Sequence, residues 1–365
     1  MTASGLHSLR IGLIGPLPPP SGGMANQTRQ LGELLVAAGA QVTTVQVNAP
    51  YWPSWIARVP LARSLFRLVP YVSALWRAAG RSDVFHVMAN SGWSWHLFAA
   101  PAIWVGRLRG VTVVVNYRGG EASEFLQHSA GLVRFTMRRV ATLVVPSGFL
   151  QGVFRRFGMP AEIVPNIIDL SRFVPREPVR AGAPHLVVAR NLEALYDNET
   201  AIRAFEVVRR QFPQATLTLA GSGPQESYLR QFVATQGLAN AVRFAGRLER
   251  DAMAVLYRSA DLMLNPSLAD NMPNSVLEAW ASGVPVVSTN VGGIPHLAQD
   301  GVTASLVPPA DPAAMAQACV VLLSDETLWR QRAQAGLQEA QRYTWSCVQP
   351  VLANVYRQAL PQSAL

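Results

Sequence analysis

Lysine is absent from the 365 residues, and all 31 basic side chains are arginine. No side-chain amine exists for a Schiff base or a lysine general base. Cysteine is nearly absent too. Cys319 and Cys347 cannot build a disulfide framework or a cysteine-rich metal centre, and their scarcity fits a reducing cytoplasm. No apolar run reaches the ~20 residues of a spanning helix. The nearest stretch, 84–106, is broken by His86, Asn90, Ser91, Ser94, His96 and Pro101. Only residues 11–14 form an apolar run near the start, so no secretory signal is expected. Acids are short in one half: residues 1–180 hold 18 arginines and 7 acids, residues 181–365 hold 13 and 15. Such a basic half points to an anionic partner, whether membrane surface, nucleic acid or phosphorylated substrate.

What is present is apolar and periodic. Half the residues are hydrophobic, which excludes global disorder. Short apolar runs at 10–15, 41–47, 83–88, 111–115, 142–145 and 162–164 alternate with amphipathic stretches, among them 24–38. The spacing predicts a parallel sheet with crossover helices. A proline- and charge-rich stretch, 172–184, reads as a linker. The alternation restarts at 185–189 and repeats at 216–220, 242–244, 261–265, 284–288 and 305–307. Two doubly wound α/β domains are expected, with ligands at the carboxyl ends of the strands.

The segment 51–82 differs. It has five arginines and no acid, interleaved with Trp52, Trp55, Phe66, Tyr71 and Trp76. On a helical wheel Leu61, Leu65, Leu68, Val69, Val72, Leu75 and Trp76 share a face, opposite Arg63, Arg67 and Arg77. This is the layout of a helix lying in a membrane interface, with Arg63, Arg67, Arg77 and Trp76 as contacts. Pro70 weakens it by promising a kink.

The stretch 264–288 (LNPSLADNMPNSVLEAWASGVPVVS) carries the most chemistry. A strand should end at Asn265 and a helix open at Pro273. Asp270 stands in the loop, and Glu278 lies eight positions on. The amides of Asn274, Ser275 and Val276 should be free to hold an anion. A diphosphate there would bring sugar hydroxyls near both acids.

The Asp270–x7–Glu278 spacing, then Ala279, Ala281, Gly283 and Pro285-Val286-Val287, resembles the E-x7-E signature of glycosyltransferase family 4. So does Thr289-Asn290-Val291-Gly292-Gly293-Ile294-Pro295. The stretches 11–31, 145–147, 164–173, 219–224, 244–247 and 260–261 agree in order with that family. The resemblance implies the GT-B fold: two facing Rossmann-like doubly wound parallel-sheet domains with an interdomain cleft. The domains would be 1–175 on the acceptor side and 176–345 for the nucleotide-sugar, with a helix in 346–365 crossing back. It implies retaining transfer without metal or cofactor, the nucleotide-sugar being a substrate. Glu278 would hold the donor ribose and Asp270 the transferred sugar. Asn271, Met272, Asn274 and Ser275 would face sugar and phosphates, with Gly22, Gly23, Arg190, Gly221 and Arg247 completing the donor site.

The chain departs from the family in places. The first acid is Asp rather than Glu, position 195 holds Leu where a phosphate-binding lysine is usual, and His296 replaces a glutamate. Arg118 or Arg247 is a candidate substitute for the lysine. Arg118, Gly119, Gly120 and Glu121 follow an apolar run and are candidates for the acceptor side. His86 reads as a core histidine. The expected protein is therefore a glycosyltransferase peripheral to the inner face of the cytoplasmic membrane, with a lipid-linked or polysaccharide acceptor and no nucleic-acid partner. The alternatives are a non-catalytic glycosyltransferase-like binding protein and a nucleotide-sugar epimerase.

Overall fold

The computed structural model describes residues 6–19, 22–49, 60–175 and 183–361, without the side chains of 60–65. Residues 51–59, the side chain of Arg63 and part of the expected linker lie outside this description. The chain divides into two units: residues up to Ile167 together with those from Trp345 on, and Ile168–Thr344.

In the first unit β1 (Arg10–Gly15), α1 (Gly23–Ala37), β2 (Gln41–Gln46), α2 (Pro60–Ala79) and β3 (Val84–Ala89) are followed by α3 (Ala100–Leu108), β4 (Thr112–Tyr117), α4 (Ala122–Met137), β5 (Thr142–Val145), α5 (Gly148–Arg156) and β6 (Glu162–Ile163). The second unit holds β7 (His185–Val188), α6 (Asn198–Gln211), β8 (Thr216–Ala220), α7 (Glu226–Thr235), β9 (Val242–Gly246) and α8 (Arg250–Ser259). It continues with β10 (Leu262–Asn265), α9 (Asn274–Ala281), β11 (Val286–Thr289), α10 (Ile294–Leu297), β12 (Ser305–Val307), α11 (Pro312–Ser324) and α12 (Glu326–Ala340). The last helix, α13 (Trp345–Ala359), belongs to the first unit.

Each unit has a six-stranded sheet, ordered β2-β1-β3-β4-β5-β6 and β12-β11-β10-β7-β8-β9, and every pairing is parallel. The second order is the dinucleotide-fold order; the first is the flavodoxin-like variant. Parallel sheets are covered on both faces, so the central strands β1, β3, β4, β7 and β10 are almost wholly buried, while the edge strands β2, β6, β9 and β12 are partly exposed. Helix starts follow the sequence locally: Ser147, Asp197, Asp311 and Asp325 each accept a backbone N–H at a helix start.

In the first unit α2, α3, α4 and α5 share one core against the sheet, while α1 and α13 close the other face. The expected apolar stripe of α2 is divided. Of its members Leu75 is buried and Leu68 packs against the core, whereas Val69, Val72 and Trp76 face solvent; outside the expected stripe, Tyr71 is buried and Phe66 is exposed. The stripe is too wide for one docking face, and Pro70 sits within the helix without ending it. Strand β4 runs two residues beyond the expected 111–115. It draws Asn116 and Tyr117 into the sheet because both find partners there: the Ser91 and Tyr117 hydroxyls lie 2.6 Å apart, and Asn116 Nδ2 donates to His86 Nε2 at 3.0 Å. That leaves the His86 Nδ1–H to donate to the Tyr356 hydroxyl of α13 at 2.8 Å. His86 is fully buried, and burial, helped by the nearby Arg118 charge, pushes its pKa down to about 3. It is a neutral core residue tying α13 to the sheet. Among the described residues no helix is long and apolar enough to cross a membrane.

Replacing Tyr356 with Phe strips His86 Nδ1–H of its buried acceptor. It should cost about 1–2 kcal/mol and lower the thermal midpoint; an unchanged midpoint would show that this bond does not hold α13.

Candidate functional site

In the second sheet the winding direction reverses between β7 and β10. A crevice opens at such a point beyond the carboxyl ends of the strands. Two residues past β7 stands Arg190; beyond β10 the chain carries Ser267 and then Asp270. Arg190 Nη2 pairs with Asp270 Oδ2, and the two side chains are only 10% and 11% exposed. Arg190 Nε and Nη2 also donate to Ser267 Oγ at 3.1 and 3.0 Å. Ser267 Oγ donates to Asn265 Oδ1 at 3.0 Å, and Asn265 Nδ2 donates to Ser288 Oγ at 3.0 Å. The guanidinium also stacks over the Tyr196 ring, 4.5 Å from its centroid. Burial lowers its pKa, while Tyr196, Tyr257 and Glu278 act against that. The cation is therefore aimed by a chain of buried polar groups before any ligand arrives.

Glycines make this packing possible. A Cβ on Gly221 would stand 1.9 Å from the Arg190 carbonyl oxygen, and one on Gly223 2.3 Å from that of Leu192. The turn after β11 supports the acidic loop in the same way. Gly293 donates its N–H to the Asp270 carbonyl at 2.9 Å, and a Cβ on Gly292, at φ +52°, would lie 2.1 Å from that same oxygen.

Helix α9 begins with no side-chain cap. Val276 N–H, expected to be open, donates instead to the Pro273 carbonyl at 3.2 Å within the first turn's own geometry. Ser275 is buried with its Oγ unpartnered, Met272 and Asn271 are buried, and Asn274 is partly so. Glu278 lies one turn in. Burial pushes its carboxyl up to about 7, opposed by the Arg250 charge, a hydrogen bond from Tyr257 and the Arg190 charge. The fully buried Tyr257 hydroxyl also lies 3.1 Å from the Ser275 carbonyl oxygen.

Arg190, Gly221, Asp270, Asn271, Met272, Asn274, Ser275 and Glu278 thus gather around the carboxyl ends of β7, β8 and β10. Arg247 does not join them through any contact: it is exposed just past the edge strand β9. Arg250, three residues on, carries the charge that Glu278 feels. Leu195 sits in a short turn, where its carbonyl accepts the Leu268 N–H at 2.8 Å. His296 is exposed in α10. Ser267, Tyr196, Tyr257 and Arg250 were not picked from the sequence. Asn265 ending an otherwise apolar strand was the one visible hint that polar groups meet there.

The first unit carries the remaining candidates at the carboxyl ends of its own strands. Gly22 and Gly23 lead into α1, and a Cβ on Gly22 would meet nothing within 4 Å. Arg118 follows β4. Its Nε donates to Asn116 Oδ1 at 3.1 Å and its Nη1 to Asn166 Oδ1, and burial pushes its pKa down to about 10. Gly119 packs against Asn90, Ser91 and Tyr117; Gly120 and Glu121 are exposed. Among the described residues no group of three acidic, histidine or cysteine side chains is placed to hold a metal.

Doubly wound parallel sheets with a polar, cation-bearing crevice at the switch point define an α/β protein of the ligand-binding, doubly wound class, and comparison with known proteins narrows it. The family described as Glycosyltransferase Family 4 matches residues 21–172, and that described as Glycosyl transferases group 1 matches residues 183–325. The chain is 27% identical to the phosphatidyl-myo-inositol mannosyltransferase of Mycobacterium leprae, over 95% of this chain and 96% of that one. It is 30% identical to a glycogen synthase of Mycobacterium tuberculosis, over 76% of this chain and 69% of that one. Its fold is similar to sucrose-phosphate synthase from Thermosynechococcus elongatus, with a TM-score of 0.77 and 21% identity over 96% of this chain and 98% of the other. An Anabaena protein solved with UDP and glucose follows at 0.73 and 18%, over 96% and 99%. The chain belongs to glycosyltransferase family 4 and is a glycosyltransferase of the GT-B fold.

The raised carboxyl of Glu278 sets a pH dependence. A folded-state pKa of about 7 against an unfolded value of 4.5 means that the folded chain holds the extra proton between those values. Stability is then lost as pH rises from about 4.5 to 7 and stays lost above. Glu278→Gln should therefore raise stability at pH 8 by up to about 2–3 kcal/mol and leave pH 4 unchanged. Thermal midpoints across pH check this, and a gain that is flat with pH would reject it.

Proposed function

We propose that the protein is a retaining glycosyltransferase that moves a sugar from a nucleotide-sugar donor to a lipid-linked or polysaccharide acceptor, working peripherally on the cytoplasmic face of the membrane. The observation that carries the donor reading is the pre-aimed Arg190 beside Asp270 and Glu278 at the switch point. In this reading the donor diphosphate lies on Arg190 and the uncapped start of α9, beside Gly221. Glu278 accepts hydrogen bonds from ribose hydroxyls, and Asp270 accepts one from the transferred sugar. Asn271, Met272, Asn274 and Ser275 line the sugar and phosphates, and the unpartnered Ser275 Oγ gains a partner there.

Chemically, the bond between the anomeric carbon and the phosphate oxygen breaks as the acceptor oxygen bonds to the same face of that carbon. The acceptor proton passes to the departing phosphate. Negative charge grows on that phosphate, and Arg190 and the helix start stabilise it where it develops. No metal or cofactor takes part in this scheme. On the first unit Gly22 and Gly23 serve the diphosphate, and Arg118, Gly119, Gly120 and Glu121 serve the acceptor.

The lipid-linked acceptor draws support from the M. leprae relative, whose name states that it mannosylates phosphatidyl-myo-inositol. The membrane location draws support from the exposed Phe66, Val69, Val72 and Trp76 beside Arg67 and Arg77 on α2. Leu195, in the place of a phosphate-binding lysine, is the observation that favours a binding-only relative, and turnover separates the two.

Glu278→Ala should cut transfer from a radiolabelled nucleotide-sugar in membranes by at least a hundredfold while the protein stays folded, since it deletes a donor contact and relieves a buried carboxyl. Undiminished transfer would remove Glu278 from the site. The nucleotide is found by a thermal-shift panel of UDP-, GDP- and ADP-sugars. With the best of these, Leu195→Lys should tighten donor binding about tenfold, as one added charged contact is worth about 1.5 kcal/mol or more. Unchanged affinity would place Leu195 away from the diphosphate.

A further inference from the structure

We propose that the first unit docks on an anionic bilayer through the outer face and amino edge of its whole α2–α5 layer, well beyond α2 alone. The proposal rests on the membrane reading above and deepens it. The strands of this sheet are parallel, so each crossover helix runs back to the amino edge. The four helices that share one core therefore end along one edge.

All four end in arginine. Arg77 and Arg81 close α2, and Arg107 and Arg109 close α3. Arg134, Arg138 and Arg139 close α4, and Arg155 and Arg156 close α5. A cation at a helix C-terminus is ordinary, since each terminus carries about half a negative charge. Four termini supply roughly two such charges, which leaves most of nine arginines uncompensated. Nearby acids do not make up the difference: Asp83 is taken by Arg10, and Glu162 stands alone at the start of β6. Among the described residues none of the nine is salt-bridged.

The second unit shows the contrast within the same chain. Its helical arginines at 203, 210, 230 and 330 each pair with a glutamate one turn earlier. Arg209, Arg258 and Arg332 of that unit have no such partner among the described residues, so what sets the α2–α5 edge apart is the number of such arginines gathered along it.

That face also has shape and apolar content. Arg107, Arg138 and Arg139 line a cavity of about 550 Å3 floored by Val111, Val113 and Ala141. A neighbouring cavity of about 380 Å3 shares Arg138. Between the charges stand Leu108, 70% exposed, and Leu132, 57% exposed, with Phe135 and Trp76 also open to solvent. The Arg109 guanidinium lies 4.8 Å over Trp76, and that of Arg139 3.9 Å over Trp104, so aromatic rings and cations form one surface across α2, α3 and α4. Exposed leucines between arginines suit headgroup phosphates above acyl chains, and they offer nothing to nucleic-acid bases.

The test is co-sedimentation of the full-length chain with vesicles of phosphatidylcholine, with and without phosphatidylglycerol. Wild type should bind only the anionic vesicles, less at high salt. Arg107→Gln combined with Arg138→Gln, both exposed and unpaired, should weaken binding about thirtyfold, at about 1 kcal/mol for each charge. Arg330→Gln on the second unit should change nothing. Undiminished binding by the double variant, with loss on Arg67→Gln and Arg77→Gln, would overturn the extended surface and leave the α2 anchor standing. No binding by wild type would overturn both. Tighter binding of a DNA duplex than of vesicles would overturn the lipid assignment. Transfer to a soluble acceptor should be equal in wild type and double variant, which keeps the enzymatic reading separate from all of these outcomes.

Discussion

A charge pair held out of water where the second sheet reverses its winding is what the rest of that unit serves. Arg190 and Asp270 lose hydration by being buried, and their attraction offsets this loss only when the geometry is good and the remaining hydrogen-bonding groups are met. The surroundings supply both. Ser267 takes two N–H groups of the guanidinium, Asn265 holds Ser267 and is itself held by Ser288, and Tyr196 covers the flat face. The glycines at 221, 292 and 293 bring neighbouring backbones closer than any side chain would allow. A site built this way spends little ordering energy when an anion arrives, which is what electrostatic catalysis of a leaving phosphate asks for.

Two acids eight residues apart meet unlike surroundings in this site. Asp270 has a guanidinium against it. Glu278 lies inside a helix, beside Tyr257, and burial pushes its carboxyl up to about 7 against the opposing Arg250 and Arg190 charges. One motif therefore places two carboxylates with unlike surroundings at one crevice, and the difference comes from partners brought in by α8 and β7.

The first unit spreads its charge differently. Arg118 is sunk and held by two asparagine oxygens, with His86 and Tyr356 continuing the chain of bonds to α13. The arginines at the ends of α2–α5 lie toward the outside, and among the described residues none of them meets a carboxylate.

Much of this was legible in the residues. Apolar runs of strand length, repeated with helical stretches between them, are enough to demand parallel sheets, because such strands must be covered on both faces. The Asp270–x7–Glu278 spacing and the Gly292-Gly293 turn marked the crevice loop, because loop acids and glycines leave a local pattern. Residues 41, 84, 112 and 216 open strands within two positions of expectation, since alternation there is strong. What periodicity does not contain is which distant side chain meets which. Ser267, Tyr257 and Arg250 join the site only because β7, β10, α8 and α9 lie side by side, a matter of strand order. The Arg250 charge reaches Glu278 because of where β9 stops and α8 begins, and the division of the α2 stripe depends on how wide a face the sheet can cover. Local chemistry determined the elements and their glycine turns; long-range packing alone decided which charges are buried together and which remain on the outside.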